Sequence, residues 1–490
     1  MNTTKTSRIR SGNPRAVLCI LALAASGAHA APAHAADWYV NPGAMDDDGC
    51  GKDVADPCGT VAHVIYNLVT SGDVVHLAAG THPVQGIYLE RDVTLVGQGE
   101  WQTFLDAGNI DRHFDIINAD IRFESVTLQH GRSFEDGGAV LVESGSLEVS
   151  QVRFLDCTAD QHGGAIALLS GHLELGNAKL RDNHAADNGG AIAAMGGTLT
   201  VRDSKLSSNG ALNGGAVWCG FDAEGSCGGA RILDSLLRHN TAELHGAGIS
   251  SNADLVVRRS HIADNIAGNE GGGIHLVSSD GLEITRTQID HNAARFGGGV
   301  FAEDADAVVT RSAFVANTAN VGGGYLGGAP TIVNSTFSAN YAEWTGGALS
   351  VAGAHLSFCT LVDNQAGLNQ PDIGGALVTM EKTLLTHRDP LPPAVSACTP
   401  NGVTGSNNSV DNPDCGSPGV TPVNSVIEDL SSYILGGDPQ HHAINVQASP
   451  TIDAALDCLS PLGGLTRDQL DLPRPVGSAC DLGAYELQYQ

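Results

Sequence analysis

The sequence is paced by one short phrase, two glycines (or Gly-Ala-Gly) followed by a small and then an apolar residue. It begins at Gly137, Gly163, Gly189, Gly214, Gly246, Gly271, Gly297, Gly322, Gly346 and Gly374. The steps are 26, 26, 25, 32, 25, 26, 25, 24 and 28 residues. A period of this size means stacked supersecondary units, none of which can bury its apolar face alone. The architecture follows from that constraint. The chemistry does not.

Between the phrases a second register holds. Apolar residues fall at offsets 0, +2 and +7, and a marker residue follows at +10. Leu173, Leu175 and Leu180 with Asn183 form one such block, and Leu282, Ile284 and Ile289 with Asn292 another. Offsets of two place side chains on one face of a strand. A coil of about 25 residues therefore holds three strands and three turns, and stacked coils pair as parallel strands roughly 4.8 Å apart. Asn fills the marker position in eight of ten coils, which predicts a buried amide ladder from coil to coil. The glycine pair predicts a turn at positive φ. Val61, Ile65, Leu68 and Val69 recur at helical spacing, and a short helix there would cover the open N-terminal end of the stack.

The first 36 residues read as an export signal. Lys5, Arg8, Arg10 and Arg15 form a basic start, and residues 16–27 an apolar run too short to span a bilayer. No other stretch is long and apolar enough to cross one. The net charge is −29, and about −33 once those four basic residues are removed. So acidic a chain argues against nucleic acid or anionic lipid as partner.

The chain has 11 cysteines. With Cys19 set aside in the signal, proximity suggests Cys50–Cys58, Cys219–Cys227, Cys398–Cys415 and Cys458–Cys480, although spacing alone does not fix connectivity. Cys157 falls in the Asn column. Cys359 falls where other coils carry Ser204, Ser235, Ser260 and Ser312. Their coils are eight steps apart, roughly 38 Å, so both are expected as free thiols.

The expected organisation is a signal (1–36), an N-terminal cap with the first coils (37–120), the repeat region (121–380) and a Pro-rich, non-repetitive C-terminal module (381–490) that caps the stack.

The paired motifs Phe314-x-x-Asn317 and Phe337-x-x-Asn340, with Gly-Gly-Ala-Ile from Gly163 and Gly189, resemble the repeats of chlamydial polymorphic outer membrane proteins. The resemblance runs from Ile121 to about Leu377. It implies an all-β fold, a right-handed single-stranded parallel β-helix of the pectin-lyase type, and a surface or adhesin role. The stretch carrying Ser449-Pro450-Thr451-Ile452-Asp453-Ala454, Asp468-Gln469, Pro473-Arg474-Pro475 and Cys480 to Glu486 is similar to the choice-of-anchor Q domain of bacterial surface proteins. Neither a strand series of membrane-barrel length nor a sorting tail follows it, so the expectation is a secreted or loosely surface-attached protein.

The same β-helix class includes polysaccharide lyases and glycoside hydrolases, which makes a carbohydrate-active enzyme the competing reading. Such chemistry needs convergent carboxylates, or Ca²⁺ with a basic residue, held by long loops. The coils here are minimal, so no catalytic residue, metal ligand or cofactor is expected. Arg258-Arg259 with Asp290-His291, and the acidic loop Asp46-Asp47-Asp48 with Asp53 and Asp56, read as solvated surface. One outward row is unusually poor in charge, running from Leu141 through Trp218, His275 and Phe301 to Val378. It suggests a docking face for a glycan or a cell-surface protein, with Trp218, His275 and Phe301 as the contact residues.

Overall fold

The computed structural model describes residues 35–221, 226–277, 281–303, 305–368, 370–375, 377–386, 398, 403–406, 408–410, 458–474, 480 and 484. Residues 1–34 of the expected signal (1–36), Cys415, Ser449 to Ala454 and most of Cys480 to Glu486 lie outside the described residues.

The chain is a parallel β-solenoid of three walls. Among the described residues the first wall has 15 strands, from Asp37–Val40 to Val403–Ser406, and runs unbroken across residues 120 and 380. The second has 14 strands, from Gly80–Pro83 to Ser409–Val410, and the third has 12, from Ile87–Leu89 to Ile373–Gly375. Shorter ladders close the corner between the second and third walls. Leu147 pairs in register with Leu173, and Leu173 with Leu199. Phe154 pairs with Leu180, and Ile166 with Ile192. Like residues therefore stack inside, and one continuous core runs from Trp38 to Val403. Within it the rings of Phe314 and Phe337 stack 4.5 Å apart.

Three turns recur in the coils with a residue at positive φ, one between the first and second walls and two flanking the short ladder between the second and third. Asp182, at +55°, precedes Asn183, and Asp203, at +50°, precedes Ser204. At the third turn Gly163 sits at +66°. A Cβ there would lie 2.3 Å from the Ile166 carbonyl oxygen, and one on Gly164 would lie 2.1 Å from that of Gly190. Coils this tightly stacked leave no room for a side chain, which is why the phrase is so regular.

Two buried polar ladders tie the corners together. The Asn ladder runs from Asn183 to Asn364, each Nδ2 donating to the next Oδ1 at 2.9–3.0 Å. The second is built from hydroxyls: Ser204 N–H donates to Ser235 Oγ at 3.1 Å, and Ser235 N–H to Ser260 Oγ at 3.2 Å. Cys157 and Cys359 are free and buried, 26 and 24 residues from the next rungs of these ladders, Asn183 and Thr383.

At the N-terminal end the helix α1 spans Val61–Asn67. Thr60 caps it by accepting from the His63 N–H at 3.2 Å, and Val61, Val64 and Ile65 are buried. Asp73 pins the first strand, accepting from Ala36 N, Trp38 Nε1 and Thr70 N at 2.7, 2.9 and 2.8 Å. Disulfides join Cys50 to Cys58, Cys219 to Cys227 and Cys458 to Cys480, with Cα–Cα distances of 4.9, 5.5 and 5.7 Å. Cys398 is disulfide-bonded as well, and Cys415 lies outside the described residues.

One expectation needs correction. The tenth phrase, Gly374-Gly375, does not form a corner. Ile373 pairs with Leu349, so Gly374 lies opposite Ser350 in the outward row, and Val378 pairs with Ala354 in the first wall. The inward apolar residue sets the register: Ile373 follows Leu361 by 12 residues, as Leu349 follows Phe337. The C-terminal segment is described only in part. Of its described residues, Val403–Ser406 and Ser409–Val410 add the last strands of the first and second walls, and residues 465–472 lie against the second wall and the corner before it. Asp471 accepts from Arg286 at 2.5 Å and Arg311 at 2.6 Å. Thr336 Oγ1 donates to Gln469 Oε1 at 2.7 Å, and Asn334 Nδ2 to the Arg467 carbonyl at 2.8 Å.

Candidate functional sites on the second and third walls

The third wall's outward row is buried from Leu141 to His275 and half-buried at Phe301, Leu326 and Ser350. Leu141, Ala167, Ala193 and Trp218 form a small apolar cluster with Met195. Trp218 is only 7% exposed. Its indole stacks on the His162 ring at 6.0 Å, and the backbone of Gly220 presses on its face, where a Cβ would lie 2.3 Å from the ring. His275 is also buried, and Phe301 is half-buried and stacked on His275 at 5.5 Å. The three residues named from the sequence thus do not form a common open platform. The covering groups come from the residues just before each glycine pair, a column that includes His162, Asn188, Asn213, His245 and Glu270.

Two members of that column meet His275. His245 Nδ1 lies 3.0 Å from Glu270 Oε2, and His275 Nε2 lies 3.4 Å from the same oxygen. The two imidazoles stack at 4.6 Å. Ser250 Oγ is 3.2 Å from His275 Nδ1, on the far side of that ring. Burial, then the neighbouring His245, pushes the His275 pKa down to about 3, so its imidazole is neutral at ordinary pH.

The open surface of interest lies on the second wall. Arg153, Lys179 and Lys205 stand directly over one another on the outward side of three successive coils; Lys179 and Lys205 are half-buried, and Arg153 is buried, 9% exposed. Arg181 and Arg238 belong to the adjacent outward column, separated by Ser207. Each of the first three immediately precedes an inward residue (Phe154, Leu180 or Leu206), so the second-wall strand holds it facing out. Like charges opposite one another on paired strands are destabilising. Local partners offset only part of that cost. Lys179 pairs with Glu100, Arg181 pairs with Asp182 at 2.8 Å, and the Arg153 guanidinium lies 3.7 Å from the centroid of the Trp101 ring. Lys205 and Arg238 have no ion-pair partner among the described residues, and Arg238 Nε is buried without a hydrogen bond. Burial, then the charges of Arg238, Arg181 and Lys179, holds the Lys205 ammonium below its usual pKa. Trp101 beside this patch is 65% exposed. Further along, the same wall is occupied by the C-terminal segment.

The other sequence candidates are tied up locally. Arg258 makes a two-point pair with Glu283 at 2.9 and 2.7 Å, and Arg259 one with Asp234 at 2.6 Å for both contacts. Asp290 instead meets His261 and His291. In the acidic loop, Asp46 accepts from Gly59 N, Thr60 N and Thr60 Oγ1, and Asp47 from Gly49 N and Cys50 N. Burial would raise the Asp46 pKa, but the Thr60 and Gly59 donors outweigh it and hold it below the usual aspartate value. These carboxylates fasten turns.

No protein-family profile and no curated protein matches the chain. Solved structures to which it is similar include the pectate lyase Pel9A, at 13% identity and TM-score 0.33 over 92% of this chain and 96% of that one. A rhamnogalacturonan lyase is similar at 12% identity and TM-score 0.32, over 76% and 87% of the two chains. The catalytic unit of a GH87 α-1,3-glucanase from Streptomyces thermodiastaticus is similar at 15% identity and TM-score 0.31, over 81% and 71%. Among the described residues no helix is long and apolar enough to cross a membrane.

Proposed function

We propose that this is an exported, non-catalytic surface protein that holds acidic glycans against the second wall of its solenoid. The observation that carries the reading is the basic column of Lys179 and Lys205, continued by the buried Arg153 and flanked by Arg181 and Arg238, in a chain of net charge −29. Net charge is a property of the whole chain, and a local basic column still attracts anions at contact distance. Repulsion within the column is relieved when carboxylates or sulfates come between the cations. The exposed Trp101 ring supplies an apolar face for a sugar beside the charges. Contact is therefore assigned to this wall rather than to Trp218, His275 and Phe301. The reading extends the surface role implied by the polymorphic-membrane-protein and choice-of-anchor Q resemblances, with residues 381–490 as the candidate attachment module.

The test is an immobilised glycan panel of polyuronates, sulfated polymers and neutral glucans, run beside a depolymerisation assay on the same polymers. Retention on acidic polymers alone, without product release, is expected. Release of oligosaccharides would overturn the non-catalytic reading. Equal retention on neutral glucans would overturn the electrostatic one.

A further inference from the structure

The geometry points to a divalent transition-metal site, of the type that takes Zn²⁺, formed by His245, Glu270 and His275 on the third wall. One ligand atom from each lies within 4.8 Å of the other two. The two measured separations, 3.0 and 3.4 Å, meet at one carboxylate oxygen. Two ligands bound at about 2.1 Å and at a tetrahedral angle stand about 3.4 Å apart, so these atoms already have the spacing of a coordination shell. The 3.0 Å approach of His245 Nδ1 to Glu270 is not aligned as a hydrogen bond, and that nitrogen is buried with no other partner. A divalent cation bound to both atoms would satisfy that nitrogen and the carboxylate together.

Support around the ligands favours the same reading. Ser250 Oγ can accept a hydrogen bond from His275 Nδ1–H, the tautomer that leaves the Nε2 lone pair facing Glu270. Outer hydrogen bonds of this kind fix the tautomer of metal-binding histidines. Two imidazoles with one carboxylate suit zinc, copper or nickel, whereas calcium and magnesium take all-oxygen sets. Three protein ligands leave a fourth position for water or a ligand group. The solenoid builds the set cheaply. His245 and Glu270 occupy one column on adjacent coils and pair across it, while Ser250 and His275 occupy the next outward column in the same way.

The experiment is equilibrium binding of Zn²⁺ to the full chain after chelation, repeated with Ca²⁺ and with Co²⁺ as an absorbing probe. One Zn²⁺ per chain is expected, with Co²⁺ giving the visible absorption of a tetrahedral site and Ca²⁺ failing to compete. His245→Ala and Glu270→Gln are each expected to weaken Zn²⁺ binding at least tenfold, and Ser250→Ala by about tenfold, as loss of an outer hydrogen bond does. Melting in the presence of chelator confirms that each variant is folded, and His291→Ala serves as a surface-histidine control. If folded wild type binds no Zn²⁺, or both ligand variants bind it like wild type, the cluster is an ordinary His–Glu ion pair and the site is refuted. The readout is metal content, so it stands or falls separately from glycan retention on the second wall.

Discussion

The side-chain amide of Asn240 donates to Asn265 Oδ1 at 2.9 Å, and the Asn240 backbone N–H donates to the same oxygen at 3.0 Å. Asn265 Nδ2 in turn donates to Asn292 Oδ1 at 2.9 Å and to the Leu237 carbonyl at 3.1 Å. Every Asn in this ladder is buried. Removing one therefore strands donors on the coil before it and a carbonyl behind it. Asn265→Ala is expected to cost about 3 kcal/mol in denaturant unfolding, since several buried polar groups lose partners together. Asn265→Asp is expected to cost at least as much, because it keeps the acceptor but buries a charge. A cost under about 1 kcal/mol for both would mean that the ladder contributes little to the corner.

Cys157 stands where the ladder lacks its first rung. Its N–H already donates to Asn183 Oδ1 at 3.1 Å. Cys157→Asn is expected to add the missing amide rung and raise stability by about 1 kcal/mol, read as a higher melting temperature. Burial pushes both the Cys157 and Cys359 thiols up to about 12. Neither should react with iodoacetamide in the native protein, and both should react in denaturant. Fast native labelling of Cys157 would contradict the corner geometry.

His113 is fully buried, with Nε2 3.0 Å from the Leu105 carbonyl. Burial lowers its pKa to about 4, against 6.5 in an unfolded chain. Above pH 6.5 neither state binds the proton. As pH falls from 6.5 toward 4 the unfolded state takes it up first, so stability is lost over that window, by about 2 kcal/mol at pH 5. His113→Gln can still donate to Leu105 but does not titrate. Its unfolding free energy should fall less than that of wild type between pH 7.5 and pH 5, and parallel pH profiles would refute the assignment.

Trp218 packs on Leu141, Ala167, Ala193 and Met195. Trp218→Ala should cost about 3 to 5 kcal/mol in stability through the cavity it leaves. Glycan retention by the folded variant should be unchanged, because the proposed contact lies on another wall. Lost retention with unchanged stability would return the docking role to the third wall.

What the sequence made legible was periodic and local. The inward register, the Asn ladder, the helix over Val61–Asn67 and the glycine corners each repeat a residue type at a fixed offset. The phrase at Gly374 misled because it was counted by composition. The distance from Leu361 to Ile373, which governs where the strand begins, was also in the sequence. The basic column was readable too, since Arg153, Lys179 and Lys205 each precede an inward residue, but an acidic whole-chain balance drew attention away from it. His245 and Glu270 shared one offset, and Ser250 and His275 another. That these two columns meet across the glycine corner depends on backbone angles that a period does not encode. The placement of Asp471 against Arg311 is a contact over 160 residues of sequence, that against Arg286 spans still more, and neither leaves a local trace.

The most direct test of the surface-binding account is the salt dependence of affinity for a polyuronate, compared between wild type and the Lys205→Glu, Arg238→Glu double variant. Wild-type affinity should fall steadily as salt rises, because the attraction is screened. The folded variant should bind about tenfold or more weakly at low salt and show a flatter salt dependence, as expected when two surface charges are reversed. Wild-type affinity that does not respond to salt, or a variant that binds as tightly as wild type, would contradict the account.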